Sequence, residues 1–179
     1  GFAPALWHSG HVRLHNAWVS LDEDDNDLFL FLSYFLAAIQ SMFPEACRET
    51  VAMLKAPTLP PTSVLAQSVV NEMDEIETPF ILALDDYHLI REQSVHDLLG
   101  ELLRHPPQSL HPVLTSRTDP PLNLTRLRAR NQVTEIRTPG LPLTRTLRVT
   151  FSLASSTAAI SFRRIGIPSR MANTVLAKS

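Results

Sequence analysis

The sequence is poor in the residues that most recognisable chemistry needs. One cysteine, Cys47, stands among 179 residues. That excludes an intramolecular disulfide framework and any multi-cysteine metal site, and it fits a reducing compartment. Of the five glycines, only Gly1 and Gly10 precede residue 56, and neither Gly-Lys-Ser nor Gly-Lys-Thr occurs anywhere. The glycine-rich loop that cradles phosphates on a helix N-terminus is therefore not written in these residues. No apolar run reaches the roughly 18 residues of a membrane span. The longest, around Leu28–Ile39, contains Ser33 and Tyr34. No basic stretch leading into an apolar one opens the chain, so no secretory leader is expected.

One further absence is of negative charge, and it is regional. All 18 acids lie between Asp22 and Glu135, whereas residues 136–179 hold none and carry seven Arg or Lys. Twelve residues of that last stretch are Ser or Thr. A wet helix or strand face normally mixes both signs, so composition changes class near residue 136. Residues 137–179 are expected to be a basic tail, disordered or not native to the domain, rather than a nucleic-acid arm. The opening residues 1–16 also lack acids and are expected to stand apart. On a helix His8, His11 and His15 would share one face. Pro4 and Gly10 interrupt it and no carboxylate joins the group, so a metal site is not expected there.

What remains is globular, with 44% apolar and 19% charged residues, enough for one core. Ala17–Leu21 reads as a buried strand entering the polar run Asp22–Asp27. Asp27 is a candidate N-cap for a helix whose apolar residues recur from Leu28 to Phe43, where Pro44 stops it. Lys55–Ser63, with three prolines, reads as a linker, and Val64–Ile76 as a second helix. Phe80–Leu84 is a continuous apolar strand that runs into Asp85–Asp86. Ser94–Arg104 reads as a helix capped by Ser94. His111–Thr115 is a strand leading to Ser116–Arg117, Leu122–Arg130 a short basic helix, and Val133–Ile136 a last strand. Alternating strands and helices give an α/β fold with a mostly parallel sheet, whose ligands bind beyond the carboxyl ends of the strands. Asp22–Asp27, Asp85–Asp86 and Ser116–Arg117 are then expected to converge on one edge.

An apolar strand that ends in two aspartates has the form of a Walker B site. Its carboxylates can hold a hydrated Mg²⁺ and orient an attacking water. Asp after a strand is equally a turn residue. The arginine ending the next strand raises the odds, since its planar fork suits a terminal phosphate.

Four runs carry a family resemblance: Ala17-Trp-Val-Ser-Leu-Asp-Glu-Asp-Asp-Asn-Asp27, Phe80-Ile-Leu-Ala-Leu-Asp-Asp-Tyr-His-Leu-Ile90, Leu114-Thr-Ser-Arg-Thr-Asp-Pro-Pro-Leu122 and Leu127-Arg-Ala-Arg130. In this order they resemble the ATP-binding domain of MalT-type transcriptional regulators. These are large LuxR-family activators of the STAND class of P-loop ATPases. The resemblance covers residues 17–136 and implies an incomplete P-loop NTPase core, cytoplasmic, with nucleotide-dependent signalling and ATP and Mg²⁺ as cofactors. It implies that Asp85 holds Mg²⁺ through water, that Asp86, the second Walker B carboxylate, polarises the catalytic water, and that Arg117 faces the terminal phosphate. Tyr87 and His88 match the family motif without an assigned role, and for His88 a core or hinge role and a catalytic one both stay open. Asp22–Asp27 is read as helix capping, and Arg126, Arg128 and Arg130 as a solvated helix face before a phosphate or DNA contact. In the intact family the partners are an inducer, further copies of the chain, and DNA through a separate C-terminal domain; no membrane is involved.

Two departures qualify that reading. The family's phosphate loop and the strand leading to it have no counterpart here. In the family's strand order that strand lies between the one ending in the arginine and the last one. Its loss is expected to leave 112–115 with an unpaired edge and 133–136 without a neighbour. The resemblance and the acids also fade together near Arg137, the pattern expected if both ends come from a shifted reading frame or a decayed gene. ATP hydrolysis is accordingly expected to be weak or absent. The rival from another class is a non-catalytic remnant that serves as a structural or protein-interaction piece. A weaker rival binds nucleic acid through Arg126–Arg130 and the basic tail.

Overall fold

A computed structural model describes residues 15–129, 133–137 and 145–148. Among the described residues the strands and α-helices follow in the order β1 (His15–Ser20), α1 (Leu28–Met42), α2 (Arg48–Leu54), α3 (Thr62–Asp74), β2 (Phe80–Asp85), α4 (Gln93–Arg104), β3 (Leu110–Ser116), α5 (Leu124–Ala129), β4 (Thr134–Arg137) and β5 (Arg145–Arg148). They form one sheet in the order β1-β2-β3-β5-β4. β1, β2 and β3 run parallel, with Ser20 beside Asp85 and Leu84 beside Leu114. The fold is α/β around a parallel three-stranded core.

Period decides which residues are buried where. Along β2, Phe80, Leu82 and Leu84 join a single core with Phe31, Leu32, Phe35, Leu36 and Ile39 of α1 and Val95, Leu98, Leu99 and Leu102 of α4. Their alternates Ile81 and Ala83 pack with Val113 and Trp18 on the opposite face. A strand buried on both faces reads as an unbroken apolar run, as this one does. On α1 and α4 the buried positions recur three and four apart, which lays them on one stripe. An Asp27 oxygen caps α1 by accepting from Leu30 N at 2.9 Å. Pro44, one residue past the C-cap Phe43, cannot continue the ladder.

Four details differ from the sequence reading. α2 lies in a stretch that periodicity did not mark, because its N-terminus is capped from α3. Glu72 accepts from Glu49 N at 2.8 Å and Thr50 N at 2.9 Å, where Cys47 at φ 56° supplies no side-chain cap. α4 begins at Gln93 and is capped by the Glu92 carboxylate rather than by Ser94. His15 is on β1, its ring 5.1 Å from that of Phe43, so it packs against a core aromatic instead of presenting a helix face; His8 and His11 lie outside the described residues. Finally, the outer edge of β3 is paired and β4 has a neighbour. Both are supplied by β5, which runs antiparallel to each (Leu114 beside Leu147, Ile136 beside Thr146). A sheet edge is satisfied by any extended backbone, so composition gave no warning of it.

Candidate functional site

The carboxyl ends of β1, β2 and β3 meet at one edge, and the three polar runs expected there are brought together. Asp85 ends β2 at its centre. The backbone ladder extends past it, with Leu21 N donating to Asp85 O at 3.1 Å. One Asp85 side-chain oxygen, Oδ1, accepts from Asp86 N at 3.0 Å and from the Thr115 hydroxyl on β3. Asp86 N also donates to Thr115 Oγ1, at 3.2 Å. Thr115 thus locks the first aspartate onto the neighbouring strand, a contact that the sequence did not show.

Asp86 has φ 57° and ψ 34°, in the left-handed region. That region costs an L-residue about 1–2 kcal/mol and is tolerated best by Asn and Asp among non-glycines. The chain there turns into a one-turn 3-10 helix, Tyr87–Leu89. Tyr87 points into the core, fully buried, with its hydroxyl 2.6 Å from His96 Nδ1 on α4. Burial pushes the Tyr87 phenol up and the His96 imidazolium down, so both are neutral at pH 7 and the phenol donates to the ring nitrogen. Tyr87, whose role the sequence did not assign, is a core residue. His88 differs. Its Nδ1 is buried without a hydrogen-bond partner and lies 3.9 Å from Asp86 Oδ1. His88 is therefore not tied into the core by a side-chain hydrogen bond as Tyr87 is.

The acidic run after β1 acts on its own backbone. Asp22 accepts from Asp24 N at 2.9 Å and Asp25 accepts from Asp22 N at 2.8 Å, a reciprocal cap on the turn Glu23–Asp25. Asp25 is buried, and that burial raises its carboxyl above the usual range, with Asp22 and Asp24 adding repulsion. The capping reading of Asp22–Asp27 is what the geometry gives.

Asn26 was passed over and proves to be the clamp. Its amide nitrogen donates to Leu89 O at 2.9 Å and Glu23 O at 3.0 Å. Its oxygen accepts from Arg91 N at 2.5 Å and Glu92 N at 3.1 Å. One side chain thus ties the β1 loop to the segment between Asp86 and α4. An Asn in an acidic run is a turn signal, but partners 63 to 66 residues away leave no local trace.

Arg117 follows the last residue of β3 and is exposed, as are Asp119, Arg126 and Arg128. Ser116, buried, donates to Thr118 O at 2.6 Å, which shapes the turn that carries Arg117. Arg130 lies outside the described residues. Among the described residues no three His, Cys, Asp or Glu side chains gather as a metal-binding group, and no helix is long and apolar enough to cross a membrane. Asp85 and Asp86 offer the hard oxygens that a hydrated Mg²⁺ takes, and in number they suit an ion that keeps most of its water. The phosphates of ATP fit less well. No Gly-Lys-Ser/Thr loop is present in the sequence, and the place between β3 and β4 is filled by β5.

No family model matches the chain. It is similar to proteins described as HTH-type transcriptional regulator MalT. The one from Serratia proteamaculans is 36% identical over 140 residues, 78% of this chain and 15% of that protein. The one from Yersinia enterocolitica is 37% identical over 132 residues (74% and 14%). The one from Vibrio cholerae is 35% identical over 132 residues, with the same shares. The chain therefore spans about one seventh of the length of the relatives it matches.

Proposed function

Starting from a chain that is a MalT-type segment by sequence, we propose that it carries the acidic and arginine side of a nucleotide switch in an ATP-dependent transcriptional regulator. The observation that carries this reading is the convergence of Asp85–Asp86 and Thr115–Arg117 on one sheet edge. The chemistry divides by residue. Asp85, pinned by Thr115, presents a carboxylate at the tip of a buried strand, where it would hold Mg²⁺ through water. Asp86, projected by its left-handed turn, would orient or deprotonate an attacking water, with His88 Nδ1 at 3.9 Å beside it. Arg117, exposed on its turn, would meet the terminal phosphate. Bound Mg·ATP would supply the charge that the two aspartates and the arginine are placed to read.

The phosphate cradle is not among these residues, so affinity for the nucleotide is low and hydrolysis weak or absent in the chain as it stands. Inducer binding, self-assembly and DNA reading belong to the whole regulator. A cytoplasmic location goes with that role.

Thermal unfolding with increasing Mg·ATP tests the reading. A ligand present at its dissociation constant stabilises by about 0.4 kcal/mol, and at a hundred times that by about 2.7 kcal/mol. A saturable rise in melting temperature at millimolar Mg·ATP, lost in Asp85→Asn and in Arg117→Ala, is the expected result. No rise at all would overturn the nucleotide reading for this chain. The rival would then hold: a non-catalytic piece that serves structure or interaction, favoured by the occupied place between β3 and β4.

A further inference from the structure

Two non-glycine residues among those described hold a positive φ, Cys47 at 56° and Asp86 at 57°. Each opens a short helical turn, and neither caps that turn with its own side chain. Backbone of this kind persists where its surroundings over-determine it. For Cys47 the support is Glu72, which accepts from the first amides of α2. For Asp86 the support comes at both ends of its turn. At the near end Asp86 N donates to Asp85 Oδ1 and Thr115 Oγ1, and Tyr87 is sunk in the core. At the far end Leu89 N donates back to Asp86 O at 2.9 Å, and Leu89 O accepts from Asn26 Nδ2 at the same distance.

The far end calls for an amide side chain. Leu89 O takes a donor, whereas Arg91 N and Glu92 N take an acceptor, and Asn26 offers both from one planar group. A carboxylate like those of Asp25 and Asp27 on either side would turn negative charge on Leu89 O. The base of Asn26 is itself fixed. Its Nδ2 also donates to Glu23 O at 3.0 Å, Asp22 and Asp25 cap the preceding turn reciprocally, and Asp27 caps α1. The turn that carries Asp86 is therefore closed by a rigid loop 60 residues earlier in the chain.

We propose that Asn26 is a positioning residue for Asp86. By holding Leu89 O and the two amides before α4, it keeps Asp86 in its left-handed conformation and its carboxylate beside Asp85 at the sheet edge. The task of that carboxylate rests on the nucleotide reading; its placement does not, and the test reads the two separately.

Amide exchange of the full chain, followed by NMR, reads the placement. Asn26→Ala is expected to speed exchange at Leu89, Arg91 and Glu92 by about tenfold or more. Adding Asp86→Gly, which enters the left-handed region without a Cβ penalty, should recover about threefold or more at Leu89. Arg91 and Glu92 should stay fast, because glycine at 86 does not replace their acceptor. A merely structural clamp would show no such selective recovery. Unaltered exchange at Leu89 in Asn26→Ala would overturn the proposal, and so would a loss there that Asp86→Gly leaves as it was. Mn²⁺, a hard cation that stands in for Mg²⁺, reads the task. It should broaden the signals of Asp85–Tyr87 in the native chain and need about tenfold higher concentration in Asn26→Ala. Equal Mn²⁺ affinity in both chains would overturn the proposal as well. If Mn²⁺ broadens nothing in the native chain, the cation reading fails and the exchange at Leu89 still decides the placement. If Asn26→Ala loses protection at Ile81–Leu84 and so fails to fold, Asn26→Asp takes its place. It keeps an acceptor for Arg91 and Glu92 and removes the donor to Leu89, so the same recovery at Leu89 is expected and its absence refutes the assignment.

Discussion

Three strands of the sheet run parallel and two join it antiparallel, and the two groups left different traces in the sequence. β1, β2 and β3 owe their places to side chains: alternating burial on both faces, helices laid on one of them, and polar termini gathered at the carboxyl edge. β5 is joined to β3 by an antiparallel ladder, and β4 is joined to β5. Patterned side chains specify a neighbour and a register.

The difference makes ordered predictions. The largest effect belongs to the patterned half. Leu82→Ala, at the centre of β2 and 1% exposed, should cost about 2–5 kcal/mol in urea unfolding. Next comes the clamp between the two acidic segments. Asn26→Ala strands Leu89 O, Arg91 N and Glu92 N and should cost about 1–3 kcal/mol. Faster amide exchange should appear at Arg91 and Glu92 before it appears in β2. An Asn26→Ala chain whose exchange at those two amides is unaltered would show that the loops are held by something else.

Smaller still is the buried pair under the site. Tyr87→Phe should cost about 1 kcal/mol. The same pair sets a pH dependence. His96 and His111 both have imidazolium forms disfavoured by burial, so their folded-state values lie below 6.5. The unfolded chain then binds more protons as pH falls past 6.5. Their stabilisation is complete above that pH and is lost progressively below it. Asp25 works in the opposite sense, because its raised carboxyl makes the folded state the better proton binder from pH 3.8 upward. Melting temperature should therefore fall between pH 7 and pH 5 in the native chain. It should fall less in His96→Gln, and a drop of equal size in both would remove His96 from the account. The smallest effect is on the fold and the sharpest on function. Asp86→Asn keeps a residue tolerant of the left-handed turn and should change stability by about 0.5 kcal/mol or less, while abolishing any Mg·ATP response.

Much of the patterned half was legible. Leu28, Phe31, Leu32 and Phe35 announce a helix, Asp27 its cap, and Phe80–Leu84 a doubly covered strand, because each signal is local and periodic. That Asp85, Asp86 and Arg117 follow neighbouring parallel strands at the same end of the sheet could be read from the order of strands and helices. What stayed hidden was carried by distant partners. Glu72 caps α2 from another helix, Thr115 holds Asp85 from the next strand, and Asn26 bonds across more than sixty residues. β5 was hidden for a different reason. Arg145–Arg148 sits in a stretch without acids, beyond the runs that carry the family resemblance.

Under the proposed function, one sheet edge reads a nucleotide through Asp85, Asp86 and Arg117. Amide hydrogen exchange of the full chain with and without millimolar Mg·ATP tests it most directly, since it locates any binding. Slower exchange confined to Asp85–Leu89 and Thr115–Thr118, and none of it in Asp86→Asn, is the expected result. Unchanged exchange at both segments, or protection that falls only elsewhere in the chain, would contradict it.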